Sequence, residues 1–534
     1  MVNPLNVAAL SHHFANAILR LRQNQRHSPS RGARGVHVKR KEADMRSTRS
    51  LGWVARVAAL AALVSPAVVG AQEKSAAGKV PVTTTSDEAR QLYLKGRDLA
   101  EKLRATDANR FFKDALVKDK EFALAHFALA TSSGTAKEFF DSIKQAVAYA
   151  PKASEAERHI ILGFDAGVRG DPAAQADHLK KLVAAFPNDE RAHNQMGAYY
   201  FGRQEYAQAV EAYKKATAIN PSFSQPYNQM GYAYRFLEKY PEAEAAFKKY
   251  IELIPNDPNP YDSYAELLMK TGRFEESIAN YQKALKQDAN FIASHIGIGN
   301  DYVFMGQGAK AREAFAKITA VARNDGERRT AHLWTATSYL HEGATDKALA
   351  ELGKMTEIAK AGGDTPALSG DMNQMGDILR EAGRHDDALA KYKEAVDTME
   401  KADVPADVKE GVRRNFVFEE GRVALAKKDL AAAKAKADAY AKQVAVKSIP
   451  FEVRQQQELA GLIALEEKRF GDALTALQQS NQQDPRIVYL TALALQGKGD
   501  AAKARETAGK AAAFNGLNFN YGFVREKAKK LTAA

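Results

Sequence analysis

Between residues 190 and 325 the apolar and small positions of this chain return with a fixed step of 34. Arg191-Ala-His-Asn-Gln-Met-Gly197 comes back as Gln225-Pro-Tyr-Asn-Gln-Met-Gly231, then as Pro260-Tyr-Asp-Ser-Tyr-Ala265 and Ser294-His-Ile-Gly-Ile-Gly299. Behind each lies a second pattern: Ala209, Tyr213 and Ala216, then Ala243, Phe247 and Tyr250, then Ser277, Tyr281 and Ala284, then Ala311, Phe315 and Ile318. Inside each half, apolar and small residues recur at offsets of three and four, the spacing of one helix face. Turn residues separate the halves at Gly202-Arg-Gln-Glu205, Gly272-Arg273 and Gly306-Gln-Gly308. Each step therefore predicts two antiparallel amphipathic helices. One such pair cannot bury its apolar face alone, so the pairs must stack into a continuous core.

The small residue at Gly197, Gly231, Ala265 and Gly299, the Ala at Ala209 and Ala243, the aromatic at Tyr213 and Phe247, and Pro221 and Pro255 fall at fixed slots. This pattern resembles the tetratricopeptide repeat family. The frame extends to Leu92, Gly96, Ala108, Phe112 and Ala115, to Leu162, Gly163, Leu179 and Pro187, and to Met375, Gly376, Ala388, Tyr392 and Ala395. Weaker units lie at 339–355, 421–440, 461–485 and 492–511, and a shortened one at 124–151. The resemblance implies an all-α, right-handed superhelical solenoid of about twelve repeats over 86–518, closed by a C-terminal capping helix over 519–534. Such repeats host many unrelated roles, so fold alone does not give function.

Charge changes the picture at one end only. The chain has 534 residues and a net charge of +12, but residues 1–71 hold 11 Lys and Arg against 2 Asp and Glu. The rest is close to neutral, so the basicity does not mark the solenoid as a nucleic-acid binder. Basic residues 46–56, the apolar run Val57–Val64 and the small residues Val69-Gly70-Ala71 have the three parts of a secretory signal, with cleavage expected after Ala71. The competing reading, a retained anchor, is short: 15 residues at about 1.5 Å each give roughly 22 Å, against a hydrocarbon core of about 30 Å. Residues 1–44 read as a basic extension upstream of the true start at Met45, or as a nucleic-acid arm around Arg31–Lys41. Residues 72–85 read as a flexible polar lead-in. With no cysteine, disulfides, thiolate metal sites and lipoprotein anchors are excluded.

Candidate chemistry is thin. Twelve histidines form no H-E-x-x-H or other metal spacing. His126, His193, His295 and His332 fall near the fourth slot of their repeats, a packing position. Gly297-Ile-Gly-Asn300 and Gly306-Gln-Gly308 lack the Lys-Ser/Thr of a phosphate loop, and no Gly-x-Ser-x-Gly elbow occurs. Arg169-Gly-Asp171 is a turn. Met196, Tyr200, Met230, Tyr234, Tyr264 and Met375 read as core, and Lys391-Tyr-Lys-Glu394 as an outer face. No catalytic residue, cofactor or metal is expected.

The resemblance implies that slots 2, 5, 9, 12 and 13 of the first helices line a concave groove. Those positions are Arg191, Asn194, Phe201, Gln225, Asn228, Tyr232, Arg235, Phe236, Asp262, Glu266, Asn300, Phe304, Asn373 and Arg380. Asn194, Asn228 and Asn373 share slot 5. A ladder of amides, each both donor and acceptor, can bond an extended peptide backbone; the alternative is that they touch the next helix or water. The expected partner is a protein or peptide and the expected setting is exported, periplasmic, with no nucleic acid for the mature chain and no stable membrane anchor after cleavage. The Lys–Asn clamp for a C-terminal carboxylate is not reproduced, since slot 5 holds Asn.

Overall fold

The computed structural model describes residues 78–533. The basic extension at 1–44 and the export signal at 45–71 lie outside the described residues. From 87 onward the described chain is a run of α-helices joined by short turns. They pair as α1 (Asp87–Glu101) with α2 (Ala105–Lys118), α3 (Ala123–Thr131) with α4 (Ala136–Tyr149), and α5 (Glu155–Val168) with α6 (Pro172–Ala185). Next come α7 (Glu190–Gly202) with α8 (Tyr206–Ile219), α9 (Ser224–Phe236) with α10 (Tyr240–Leu253), and α11 (Pro258–Lys270) with α12 (Phe274–Gln287). Then follow α13 (Ile292–Phe304) with α14 (Gly308–Val321), α15 (Asp325–His341) with α16 (Thr345–Ala361), and α17 (Thr365–Glu381) with α18 (His385–Glu400). The last pairs are α19 (Ala406–Ala426) with α20 (Leu430–Lys447), α21 (Pro450–Glu466) with α22 (Phe470–Gln478), and α23 (Pro485–Gly497) with α24 (Ala501–Ala512). A final single helix is α25 (Tyr521–Ala533). These twelve pairs are called units 1 to 12.

The slots explain the pairing. A Cβ on Gly231 would lie 2.5 Å from the Phe247 ring, and one on Gly376 2.5 Å from Tyr392. Gly96 stands in the same relation to Phe112, at 2.6 Å. The aromatic of the second helix thus lies flat on the bare backbone of the first. Unit 6 departs from this: Ala265 occupies the slot, and the Tyr281 ring lies instead against Gly297 of unit 7. The fourth-slot rings have a specific task. Nε2 of His126, His193 and His295 meets the carbonyl six residues upstream, at 2.9, 2.9 and 3.1 Å, and Tyr261 Oη donates to Pro255 O at 3.0 Å. Each ring pins the inter-unit loop to the helix that follows it. His332 differs, with Nδ1 2.8 Å from Glu351 Oε2.

Residues 78–85, expected as a flexible lead-in, are tied down across three units. Val80 N donates to Asp189 Oδ2 at 2.8 Å, Thr83 N to Glu157 Oε1 at 2.7 Å, and Thr85 N to Asp119 Oδ2 at 2.9 Å. Val80 and Val82 also pack on the N-terminal core. Their periodicity is too short to be read from sequence, yet three of their amides find carboxylates at helix ends.

The units coil with seven to a turn, and the second turn rests on the first. Unit 1 meets unit 8 through Thr106 Oγ1–Glu327 Oε1 at 2.9 Å and Arg323–Asp107 at 2.8 Å. Unit 2 meets unit 9 where Ala136 N donates to Asp364 Oδ2 at 3.0 Å. Phe140 and Val168 of units 2 and 3 share a buried cluster with Met399, Ala402, Val408 and Val412 around units 9 and 10. Unit 4 meets unit 11 through Gln204 Nε2–Asn481 Oδ1 at 2.7 Å.

Candidate functional site

Stacking two turns of first helices encloses space at the centre. Arg235, Phe236, Glu266 and Asn373, all among the expected groove residues, line one cavity of about 250 Å3. Asn373 belongs to the second turn, which supplies the rest of the wall: Asn415, Phe418, Arg422, Gln455 and Glu458, with the 481–486 loop and residues 514–520. Counting slots from Gly421 and Gly461 puts Asn415, Phe418 and Arg422 at slots 2, 5 and 9, and Gln455 and Glu458 at slots 2 and 5. The signal was therefore present in the two weak units, where the glycine frame had to be trusted without its neighbours.

The wall is charged and largely self-paired. Arg235 bridges Glu266 at 3.2 Å and lies over the Tyr232 and Phe236 rings. Arg422 holds Glu419 at 3.1 Å and Asp377 at 3.4 Å. Tyr392 Oη also donates to Asp377, at 3.0 Å. Arg486 holds Asp484 at 2.9 Å. Arg454 reaches only the Arg203 carbonyl, at 3.4 Å, and burial lowers its pKa. Pairing of this kind offsets the desolvation of each charge and fixes the relative placement of the helices.

The other expected groove residues are engaged between units. Arg191 forks onto Glu101 at 2.6 and 3.0 Å. Asn194 donates to Gln225 Oε1 at 3.0 Å. Asn228 is fully buried, with neither amide atom hydrogen-bonded. Tyr232 and Asp262 are buried as well, Asp262 accepting from Ser294 Oγ at 2.8 Å. Burial, with Glu266 nearby, pushes the Asp262 carboxyl well above its ordinary range. Asn300 and Asn373 donate to carbonyls of their own helices, Ile296 O at 2.9 Å and Ser369 O at 3.2 Å. Phe201 meets Tyr206 and Phe236 edge-on, and Arg380 holds Glu381 at 2.9 Å. Along slot 5, Asn194 thus faces the next unit, Asn228 is buried without an amide partner, and Asn373 bonds its own helix while lining the cavity.

Phe304 is covered by the C-terminal segment. The Tyr521 ring lies 5.5 Å from the Phe304 ring and 5.4 Å from His341. Arg525 Nη2 donates to Phe304 O at 2.7 Å and Nη1 to Val303 O at 3.4 Å. Lys270 Nζ donates to Phe514 O at 2.6 Å and stands 4.1 Å over that ring. Burial, reinforced by Arg235, pulls the Lys270 pKa down to about 8. Lys527 bridges Glu381 at 3.2 Å. Burial alone would raise the Glu381 pKa, but Arg380 and Lys527 outweigh it and hold it at about 2. The expected capping helix therefore does more than cover unit 12: it runs over the C-terminal ends of α13, α15 and α17.

Among the described residues no three His, Asp or Glu side chains gather as a metal site, although His159 Nδ1 and His178 Nδ1 lie 2.9 Å apart. Among the described residues no helix is long and apolar enough to cross a membrane.

Family models described as tetratricopeptide repeat match residues 190–223, 224–257, 259–291 and 296–364. No curated protein matches the chain. Solved structures similar to it include MamA 41-end from Desulfovibrio magneticus RS-1, 22% identical, covering 32% of this chain and 97% of that one, with a TM-score of 0.27. Another is YrrB, titled a TPR protein with an unusual peptide-binding site, 20% identical over 34% of this chain and 91% of that one, TM-score 0.24. A third is a tetratricopeptide repeat protein from Parabacteroides merdae ATCC 43184, 16% identical over 54% of this chain and 100% of that one, TM-score 0.30.

Proposed function

Tetratricopeptide repeats build the centre of this chain, and from that premise we propose that the protein is an exported, non-enzymatic scaffold that holds a polypeptide on the inner side of its superhelix. One observation carries the reading: the inner side already holds a polypeptide segment. Lys270 of the scaffold bonds the segment's main chain at Phe514 O, the segment's Arg525 bonds the scaffold's main chain at Phe304 O, and Phe304 takes the Tyr521 ring. Contacts to main chain and an aromatic pocket suit a polypeptide better than a small metabolite. Arg235, Phe236 and Asn373 continue the same surface into the cavity.

A photo-crosslinking residue at Phe236 or Asn373, introduced singly in cells, is expected to give an adduct with one discrete polypeptide. The same residue at Lys391, on the outer face, is expected to give none. Equal labelling from all three positions overturns the reading. Alanine at Asn228 or Tyr232 is unsuitable for this purpose, since both side chains are buried in the fold. Export rests on residues 45–71. N-terminal sequencing of protein purified from cells is expected to start at Gln72; a start at Met1 would instead favour an intracellular regulator using its basic arm, with strongly salt-dependent nucleic-acid binding.

A further inference from the structure

The path of the chain after α24 is unlike that of a plain terminal cap. A cap needs contact only with the last pair. Here residues 513–533 cover unit 12 and also reach back to four earlier first helices. Phe514 is held by Lys270 at the end of α11, Arg525 by the terminal carbonyls of α13, Tyr521 by His341 at the end of α15, and Lys527 by Glu381 at the end of α17. Phe519 and Phe523 pack on the apolar cluster around Leu340 and Met355.

The receiving surface has a definite chemistry. It is made of helix C-termini, whose unpaired carbonyls and dipoles favour cations. An ionised carboxylate, Glu381, and the Phe304–His341 aromatic pair complete it. The segment answers it in kind: Tyr521, Val524, Arg525 and Ala528 share one face of α25, with an aromatic and, one turn on, an arginine. Its 13 residues are too few to hold a helix in water without docking.

We propose that residues 513–533 are a displaceable intramolecular ligand of the surface formed by the ends of α11, α13, α15 and α17, and that the partner polypeptide carries the same chemistry, an amphipathic helix with an aromatic and an arginine one turn apart. This rests on the reading of the inner side as a polypeptide site and names both its occupant and its regulation. A partner binds only as the segment leaves, so its apparent affinity is set by the fraction of chains with the segment released.

The test uses the full chain and a labelled synthetic peptide of residues 513–533. In a Tyr521→Ala/Arg525→Ala full-length variant the segment is weakened while the surface is intact. The peptide is expected to bind this variant at least about tenfold more tightly than wild type, because docking in cis removes most competent surface. A peptide carrying the same two substitutions is expected not to bind. Equal binding to both proteins overturns the proposal, as does failure to bind a variant whose α25 amides exchange freely. Hydrogen exchange on wild type gives a second measurement that needs no variant. The α25 amides are expected to exchange ahead of those in α23 and α24; exchange only together with them means the segment is part of the fold and overturns the proposal. The crosslinking positions Phe236 and Asn373 lie outside the peptide's anchors, so loss of partner adducts there with intact peptide binding would strike the scaffold reading and the partner named here, and leave the intramolecular docking standing.

Discussion

At the scale of single residues, the array is set by what one slot allows another. The bare backbone of Gly231 is covered by the Phe247 ring. Gly231→Ala forces that ring, itself fully buried, to move; the expected cost is about 1–3 kcal/mol, read as a lower denaturant midpoint. The turn inside each pair makes the opposite demand. Its left-handed residue is glycine at Gly272, Gly306, Gly343 and Gly383, but Gln204 and Glu238 stand there in units 4 and 5, with φ of 65° and 58°. Glu238 is exposed, so Glu238→Gly is expected to raise stability by up to about 1 kcal/mol, while Gly306→Ala lowers it by a similar amount. Both slots were legible as a glycine and an aromatic 16 residues apart. What the slot pattern does not give is unit 6, where Ala265 takes the glycine slot and the Tyr281 ring lies against Gly297 of the next unit.

At the scale of elements, α25 is the helix with a pH-dependent seat. Burial against Phe304 and Tyr521, with Arg525 and Lys529 nearby, pushes the His341 imidazole down to about 3. Released, it returns toward its ordinary value of 6.5. Between those values the released form binds the proton and the docked form does not, so docking weakens as pH falls from 6.5 toward 3. Glu381 adds to this only at lower pH and only by the share of its depression that comes from Lys527, since the larger lowering cause, Arg380, stays beside it on α17 when α25 leaves. Amide protection factors in Tyr521–Ala533 are therefore expected to drop between pH 6.5 and 4.5, and His341→Gln to flatten that interval. A fall of the same size in α10 would point to global loosening instead. The helix itself was expected from its position after the last repeat and from Lys527, Lys529 and Lys530 on its polar side. Its seat was not, because the groups that hold it are the ends of helices two hundred residues upstream.

At the scale of the whole molecule, the rotation from pair to pair accumulates until unit n rests on unit n + 7. Two apolar clusters serve that contact: Leu103 and Ala105 against Ala284 and Phe291, and Phe140 and Val168 with Met399, Val408 and Val412. Phe140→Asp places an unpaired carboxylate there, and is expected to separate the two turns at a cost of about 3 kcal/mol or more. Small-angle scattering should then give a larger radius of gyration with helical circular dichroism nearly unchanged; a collapse of helicity would mean that the turns do not fold separately from their contact. The surface ion pairs across the turns, such as Arg104–Asp288 at 3.3 Å, contribute little by comparison. The amino-acid sequence by itself determined the helix pairs, their number and the residue at each packing slot, since helical period and nearest-neighbour burial are local and repeat every 34 residues. Only the tertiary structure decided which first-helix positions stay accessible, that the 78–85 lead-in is tied down, and that the C-terminal segment lies across the interior. Those contacts join loops and helix ends far apart in the chain, where no periodic pattern announces a partner and the rotation accumulated over seven units chooses which groups meet.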